Sequence, residues 1–272
     1  MVNESTMLKL AVCVKAVPDP NKADQVKIDP VTKTLNRVKI PLVINSLDKH
    51  SLEAALQLKA RLGAAITVIS MGPSEATSVV GECLAYGADL GYLLCDDAFA
   101  GADAYATAYT LACAIKKLGP FDVVFCGRES SDGATEWVGP ELATFLDWPV
   151  ITMVKEIIEC STTDWIVKAN IDGGYRVVKV ALPVVLTVTR ELNSPRALSF
   201  SSILKARNKT ITVLNIKDLD ISEENVGLKG SPTIVSELTC LNNTRVCEFI
   251  EGTTEEKAEA LIHVLVSKGV LK

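Results

Sequence analysis

Apolar positions along the chain fall into short unbroken runs set between stretches of helical period. Residues 8–14, LKLAVCV, form one such run, as expected of a parallel strand buried on both faces. Runs of the same kind recur at residues 66–70, 90–95 and 122–126. Between the first two, Leu52, Ala55, Leu56 and Lys59 recur at helical spacing; Ser46 or Asp48 can cap that helix, and Gly63 ends it. Gly72-Pro73 signals a second helix, with Pro73 at its first position, Tyr86 near its end and Gly87 as its stop. A third spans residues 102–118, capped by Asp103 and closed by Gly119-Pro120. A fourth starts near Val138 and carries Leu142, Phe145 and Leu146 on one face. This alternation predicts an α/β fold, a doubly wound and mostly parallel sheet with ligands at the carboxyl ends of its strands.

After Trp148-Pro149 the period changes. Residues 150–158, 165–171 and 175–182 are short and β-rich, and Asp172-Gly173-Gly174 is a turn signal, so a β-hairpin insertion is expected. Residues 183–188 predict one more strand, returning to the main sheet. Residues 190–209 are polar and basic, and 217–231 read as a charged, glycine-spaced linker. Residues 255–268 predict an amphipathic C-terminal helical arm with Leu261, Val264 and Leu265 as its apolar stripe. Near the start, residues 1–7 read as a frayed tail and 27–32 as a small hairpin or irregular arm.

Composition removes several classes of function. The 272 residues carry a net charge of −5, which offers no electrostatic footprint for nucleic acid. No apolar run approaches the roughly 20 residues of a membrane-spanning helix. The first ten residues lack the basic and apolar regions of a secretory signal, so a cytoplasmic protein is expected. Eight cysteines make no CxxC pair, and the two histidines, His50 and His263, have no partner at ligand spacing; reduced thiols and no metal site are expected. His50 reads as an exposed helix residue.

The clearest chemical signal is FCGRESSDGATEWVGP, residues 125–140. A strand ends at Gly127, a loop of small polar residues follows, and a helix begins near Val138. Loop amides and the free N–H groups of a helix's first turn converge on one place, where the macrodipole favours negative charge. An ordinary βα connection has the same outline, and no GxGxxG or Walker pattern is present. Three other strand ends are also small, polar or proline-containing: Lys15 to Asp19, Asn45 to Asp48, and Met71-Gly72. An unrelated adenylating or ATP-hydrolysing enzyme would want a Ser/Gly-rich loop directly after the first strand, where this chain has Lys15-Ala16-Val17-Pro18-Asp19-Pro20.

Several segments, in order, resemble the β subunit of the electron-transfer flavoproteins. Val14-Lys15-Ala16-Val17-Pro18-Asp19 resembles that family's opening VKxVPD, and Asn45-Ser46-Leu47-Asp48 its NPxD segment. Met71-Gly72-Pro73 and Gly87-Ala88-Asp89 fall where the family has GP and GAD, and residues 127–138 resemble its glycine- and aspartate-containing loop. Asp172-Gly173-Gly174, Leu182-Pro183-Val184-Val185 and Leu192-Asn193-Ser194-Pro195-Arg196 are similar to its DGG, LPAVVT and LNEPR segments. Ser46 stands where proline is usual, Ala134 replaces an aspartate, and Glu136-Trp137 replaces a small residue and glutamine.

The resemblance implies an adenine nucleotide across the strand ends. Cys13, Asn45, Ser46, Leu47 and Asp48 would surround the adenosine and Met71 would flank the base. Gly127, Arg128, Glu129, Ser130, Ser131, Asp132, Gly133, Ala134, Thr135, Glu136, Trp137 and Val138 would hold the phosphates. In ordinary members the nucleotide is structural AMP; in bifurcating members it is an FAD that takes hydride from NADH. Asp132-Gly133, and a helix start with Asp103 and Thr107 within reach of a flavin, resemble the bifurcating type. That type implies NAD(H) as substrate and, as partners, the α subunit with its own FAD, a flavin-dependent dehydrogenase and ferredoxin. Leu192, Asn193, Pro195 and Arg196 match the family's partner-recognition loop. The expected organisation is a nucleotide-binding domain over 1–210, then a linker and C-terminal arm over 211–272 that packs on the α subunit.

Overall fold

A computed structural model describes residues 7–25, 27–28, 35–36, 40–236 and 247–271. In chain order its first elements are β1 (Lys9–Val14), β2 (Ala16–Pro18), β3 (Lys27–Ile28), β4 (Leu35–Asn36), β5 (Leu42–Ile44), α1 (Ser46–Leu62) and β6 (Ala65–Met71). Then come α2 (Thr77–Tyr86), β7 (Leu90–Leu94), α3 (Ala104–Leu118), β8 (Val123–Gly127), α4 (Val138–Leu146) and β9 (Val150–Cys160). They are followed by β10 (Asp164–Ile171), β11 (Gly174–Ala181), β12 (Val184–Val188), α5 (Phe200–Ala206), β13 (Ile211–Leu214), α6 (Ile216–Leu219) and α7 (Thr254–Ser267). The arm expected at 27–32 is represented by β3 paired with β4; its remaining residues, like 1–6 of the expected tail, lie outside the described residues.

Nine strands form one sheet in the order β11-β10-β9-β12-β8-β1-β6-β7-β13. From β13 to β9 the neighbours run parallel, and β10 and β11 continue antiparallel at one edge. This is the doubly wound α/β fold that the alternating pattern predicts. The expected hairpin insertion is therefore an extension of the main sheet.

The period of two along β1 sorts its side chains between two cores. Leu10, Val12 and Val14 face one way and pack with Leu52, Ala55 and Leu56 of α1 and Val79 and Cys83 of α2. Ala11 and Cys13 face the other way, against Leu111 and Ile115 of α3 and Leu142 and Leu146 of α4. Both faces are covered, which is why the strands read as unbroken apolar runs. Trp165 of β10 is fully buried, tilted against Phe125 at 6.1 Å between ring centroids, and its Nε1 donates to Ser161 O at 2.9 Å.

Several local expectations are corrected. Neither Ser46 nor Asp48 caps α1; Asn45 holds that position and makes no cap bond, because its side chain is used elsewhere. Pro73 precedes a short 3-10 turn, Ser74–Ala76, and α2 begins only at Thr77. Ile211–Leu214 pairs in parallel with β7 as an edge strand that the apolar pattern did not single out. The segment read as a linker contains α6 and a 3-10 turn, Glu223–Asn225, and buries Leu219 and Val226. The chain clusters into two compact units, Met1–Ser236 and Glu237–Lys272. In the second, α7 opens with a reciprocal Thr253–Glu256 capping box, and Leu261 and Val264 are exposed.

Replacing Trp165 with Ala should cost about 3–5 kcal/mol of folding free energy, since a fully buried indole and its hydrogen bond are lost together. Urea denaturation checks this; an unchanged midpoint would contradict the packing described.

Candidate functional site

Strand β1 is the switch point of the sheet. Its neighbour β6 continues the winding on one side and β8 on the other, and the helices that follow them cover opposite faces. A crevice must open where the chain parts, at the carboxyl ends of β1 and β8. Three backbone segments meet there: Lys15 after β1, Asn45 to Asp48 at the start of α1, and the residues after Gly127.

Asp48 joins all three. Its buried carboxylate accepts the Lys15 amide at 2.7 Å and the Gly127 amide at 3.1 Å. Burial pushes this carboxyl up to about 7 against the pull of those amides and of the Asn45 side chain. The fit leaves no room for a side chain at 127: a Cβ there would stand 2.3 Å from Asp48 Oδ1. Asn45 carries the tie outward. Its Nδ2 donates to Glu129 O at 2.8 Å, and its Oδ1 accepts the Ser131 amide at 3.1 Å.

The loop so anchored is exposed from Ser131 to Trp137. Ala134 (φ 49°) and Glu136 (φ 61°) adopt left-handed backbone, a strained choice for residues with side chains. Among the described residues, no acceptor meets the amides of Gly133, Thr135 and Glu136. Helix α4 starts with Trp137 at its cap position and no side-chain cap, so the amides of Val138 and Gly139 are also free. Gly139 lies against β12, where a Cβ would meet Thr187 Cγ2 at 2.3 Å.

Charge around the loop is nearly balanced. Lys15 Nζ pairs with Asp132 at 2.7 Å and reaches Ser130 Oγ at 3.3 Å. Burial raises the Asp132 carboxyl, but its bond and proximity to Lys15 hold it below the usual range. Arg128 pairs with Glu129, and its Nε lies 3.2 Å from Glu136 Oε1, misaligned for a hydrogen bond. Two cations thus face three carboxylates. An anionic group in this loop is met by free amides and a helix N-terminus and does not rely on surplus positive side chains. The donor set fits the phosphates of a nucleotide.

The remaining expected residues share this edge of the sheet. Cys13 and Cys126 are buried in contact beneath the crevice; that contact, with burial, drives the Cys126 thiol far up. Ser46 is exposed and Leu47 buried in the first turn of α1. Met71 ends β6, two strands from β8, and is half-buried. Asp103 caps α3 through the Ala106 amide at 3.0 Å, and its other oxygen takes the Thr233 amide at 3.0 Å and hydroxyl at 2.7 Å. Burial raises this carboxyl, but those donors hold it below its ordinary value. Thr107 follows, half-buried. Helices α3 and α4 pack together, with Tyr105 in the first turn of α3 edge-on to Phe145 in the last turn of α4 at 5.0 Å.

The loop after β12 is docked on α1. Leu192 packs partly buried against the core. Asn193 Nδ2 donates to His50 O at 2.9 Å, and His50 Nδ1 meets Asn193 O at 3.0 Å. Arg196 grips Glu53 with both nitrogens, at 2.7 and 3.0 Å, while Pro195 is half-buried between them in sequence. His50, expected to be exposed, is half-buried in this contact. Lys15 and the approach of Gly139 were missed by the sequence reading. A lysine placed directly after the first buried run was the available signal for the former.

Fold and crevice define a class: a doubly wound α/β protein with an amide-lined loop where such folds take ligands. The profile of a family described as "Electron transfer flavoprotein domain" matches residues 32–219. An "Electron transfer flavoprotein subunit beta" of Thermoanaerobacterium thermosaccharolyticum is 43% identical over 265 residues, 97% of this chain and 100% of the relative. Another of that description, from Clostridium acetobutylicum, is 44% identical over 258 residues, 95% and 98% of the two chains. The "Caffeyl-CoA reductase-Etf complex subunit CarD" of Acetobacterium woodii is 41% identical over 266 residues, 97% and 100%. The chain belongs to the electron transfer flavoprotein family, among its β subunits.

Asp48 gives the site a measurable pH signature. Its folded pKa lies above the ordinary 3.8, so between about pH 4 and pH 7 the folded state holds a proton that the unfolded chain has released. Its contribution to stability therefore falls as pH rises through that window. Wild type minus Asp48→Asn, compared by urea denaturation, should lose roughly 2 kcal/mol between pH 5 and pH 8. A difference that stays flat or grows would contradict a proton held there.

Proposed function

We propose that this β subunit holds FAD in the switch-point crevice, accepts electrons from NADH there, and distributes them between two routes. The observation that carries the reading is the loop in which the amides of Gly133, Thr135, Glu136, Val138 and Gly139 find no acceptor among the described residues, pinned by Asn45 beside Lys15. A relative named as part of a caffeyl-CoA reductase complex supports it, since the similarity covers 97% of this chain and all of the relative. A flavin in this place supplies hydride acceptance from NADH and single-electron release, one electron toward the FAD of an α subunit and a partner dehydrogenase, the other toward ferredoxin.

The chain's own groups position the ligand. Free amides of the loop and of α4 meet the phosphates, Lys15 neutralises Asp132, and Gly127 keeps the crevice floor at backbone thickness. Cys13 and Leu47 form the apolar wall for the adenosine, with Met71 along the same edge. Asp103 and Thr107 hold the start of α3 toward the ring. Hydride transfer needs no general acid or base, consistent with His50 being occupied by Asn193. No described helix is long and apolar enough to cross a membrane, and the seven described cysteines are free; we place the protein in the cytoplasm.

A second reading has one observation in its favour. Ser231 and Thr233 hold Asp103 and so lay this chain's own segment over the start of α3. A covered α3 favours structural AMP, with the sole flavin bound by the α subunit. Extracting and counting nucleotides from the purified complex decides between them. Two FAD per heterodimer, one of them reducible by NADH, is the expected result; one FAD with AMP overturns it.

The loop of Leu192, Asn193, Pro195 and Arg196 is the proposed docking point for the dehydrogenase, and the arm after residue 236 that for the α subunit. Replacing Leu192 with Ala should slow electron transfer to the dehydrogenase at least about tenfold, as for a buried apolar anchor. Bound nucleotide should be unchanged. Equal transfer rates would leave Leu192 as a residue that only closes its loop onto the core.

A further inference from the structure

Lys15 spans the mouth of the crevice. Its backbone is fixed to the floor, where its amide donates to Asp48 at 2.7 Å, and its side chain runs out to the loop after β8. There Nζ pairs with Asp132 Oδ1 at 2.7 Å and donates to Ser130 Oγ at 3.3 Å. Gly133 lies alongside: a Cβ on it would stand 3.2 Å from Ser130 Oγ and 3.9 Å from Lys15 Nζ. Gly133 is also the first of the loop amides that find no acceptor among the described residues, so the ammonium sits beside the start of that run.

The two cations of the loop differ in what they have left to give. Arg128 pairs with Glu129, and its Nε lies beside Glu136, so two carboxylates already share its charge. Lys15 faces one. A lysine ammonium carries three N–H donors; Asp132 and Ser130 take two, and the third meets no acceptor among the described residues. The Lys15 side chain is 47% exposed and that of Asp132 22%, so the open side of the pair is the cation's. The carboxylate, for its part, is a hazard to a phosphate. Burial raises it, but Lys15 keeps it below its usual range and so ionised. An anion on the Gly133 amide therefore arrives next to a fixed negative charge unless the ammonium stands between them.

We propose that Lys15 is the residue that sets the charge specificity of this crevice: its third N–H donates to a phosphate oxygen of the nucleotide while it holds Asp132, and Asp132 opposes the same phosphate. The pair lets the crevice take a nucleotide in preference to the corresponding nucleoside, although the loop has no surplus cation. Free amides give the phosphate seat its shape, and Lys15 adds a formal positive charge that a neutral ligand cannot use. Opposite signs follow for the two partners. A pair that only propped the loop would suffer alike from loss of either member. A pair that reads charge loses anion affinity without Lys15 and gains it without Asp132. This role rests on the crevice being a nucleotide site, and it holds for FAD and AMP alike, since both carry phosphate.

The probes are adenosine, AMP and ADP, titrated by calorimetry into the full chain freed of nucleotide by dialysis. Lys15→Met, which keeps an unbranched stem, should weaken AMP and ADP at least about tenfold, the usual worth of a hydrogen bond to a charged group. Adenosine, with no phosphate, should stay within about threefold, as for a substitution that leaves the crevice in shape. Asp132→Asn should bind AMP at least about threefold more tightly, and the double variant Lys15→Met/Asp132→Asn should regain at least about threefold over Lys15→Met. Unchanged AMP affinity in Lys15→Met, weakening of AMP by both single variants alike, or a parallel loss of adenosine overturns the proposal and leaves Lys15 as a brace of the loop. If the unaltered chain binds none of the three probes, the nucleotide reading of the crevice falls, and this role with it.

Discussion

A single buried carboxylate holds the crevice of this protein in shape. At the end of a parallel strand the ladder stops, and its last amides must find acceptors that the neighbouring strands no longer supply. Lys15 and Gly127 are two such donors on adjacent strands, and Asp48 takes both from the first turn of α1. Burying a carboxylate is costly, and here the two backbone donors offset that cost only in part, so the carboxyl stays raised to about 7. The arrangement dictates a second residue. Gly127 has to be glycine because the carboxylate lies where a Cβ would be.

The placement of the loop follows from this tie. Asn45 sits three residues before Asp48, and once α1 is docked its amide side chain reaches the loop at two backbone points. The loop can then be exposed and yet defined, and its binding capacity resides in backbone N–H groups. Ala134 and Glu136 contribute a path through left-handed backbone, while charge is settled locally by Lys15 and Arg128.

Helix α1 serves two regions at once. Its first turn holds the crevice through Asp48, and a turn further on His50 and Glu53 hold the loop that follows β12 through Asn193 and Arg196. Glu53 is buried, and although burial raises its carboxyl, the bidentate guanidinium keeps it below its ordinary range. A displacement of this helix would be felt by the nucleotide loop and by the segment that resembles a recognition loop. Both sets of contacts come from six residues of one element, Asp48 to Glu53.

Much of this was legible in the order of residues. Continuous apolar runs are what strands covered on both faces require, so β1, β6, β7 and β8 and the helices between them follow from the hydrophobic pattern alone. The strand-end segments are legible as well, because glycine, proline and small polar residues mark places where backbone approaches backbone. Other features had no local signature. Ile211–Leu214 is only a half-buried edge strand, its pattern too weak to separate it from the polar stretch around it. The task of Asn45, taken from capping to bracing a loop 84 residues away, depends on contacts between elements remote in sequence. The same holds for Lys15 facing Asp132. Periodicity is a property of neighbours along the chain, and it determined which segments would be strands and helices. Which polar groups would find one another, and which would be left unpaired, was decided only when the sheet brought those segments together.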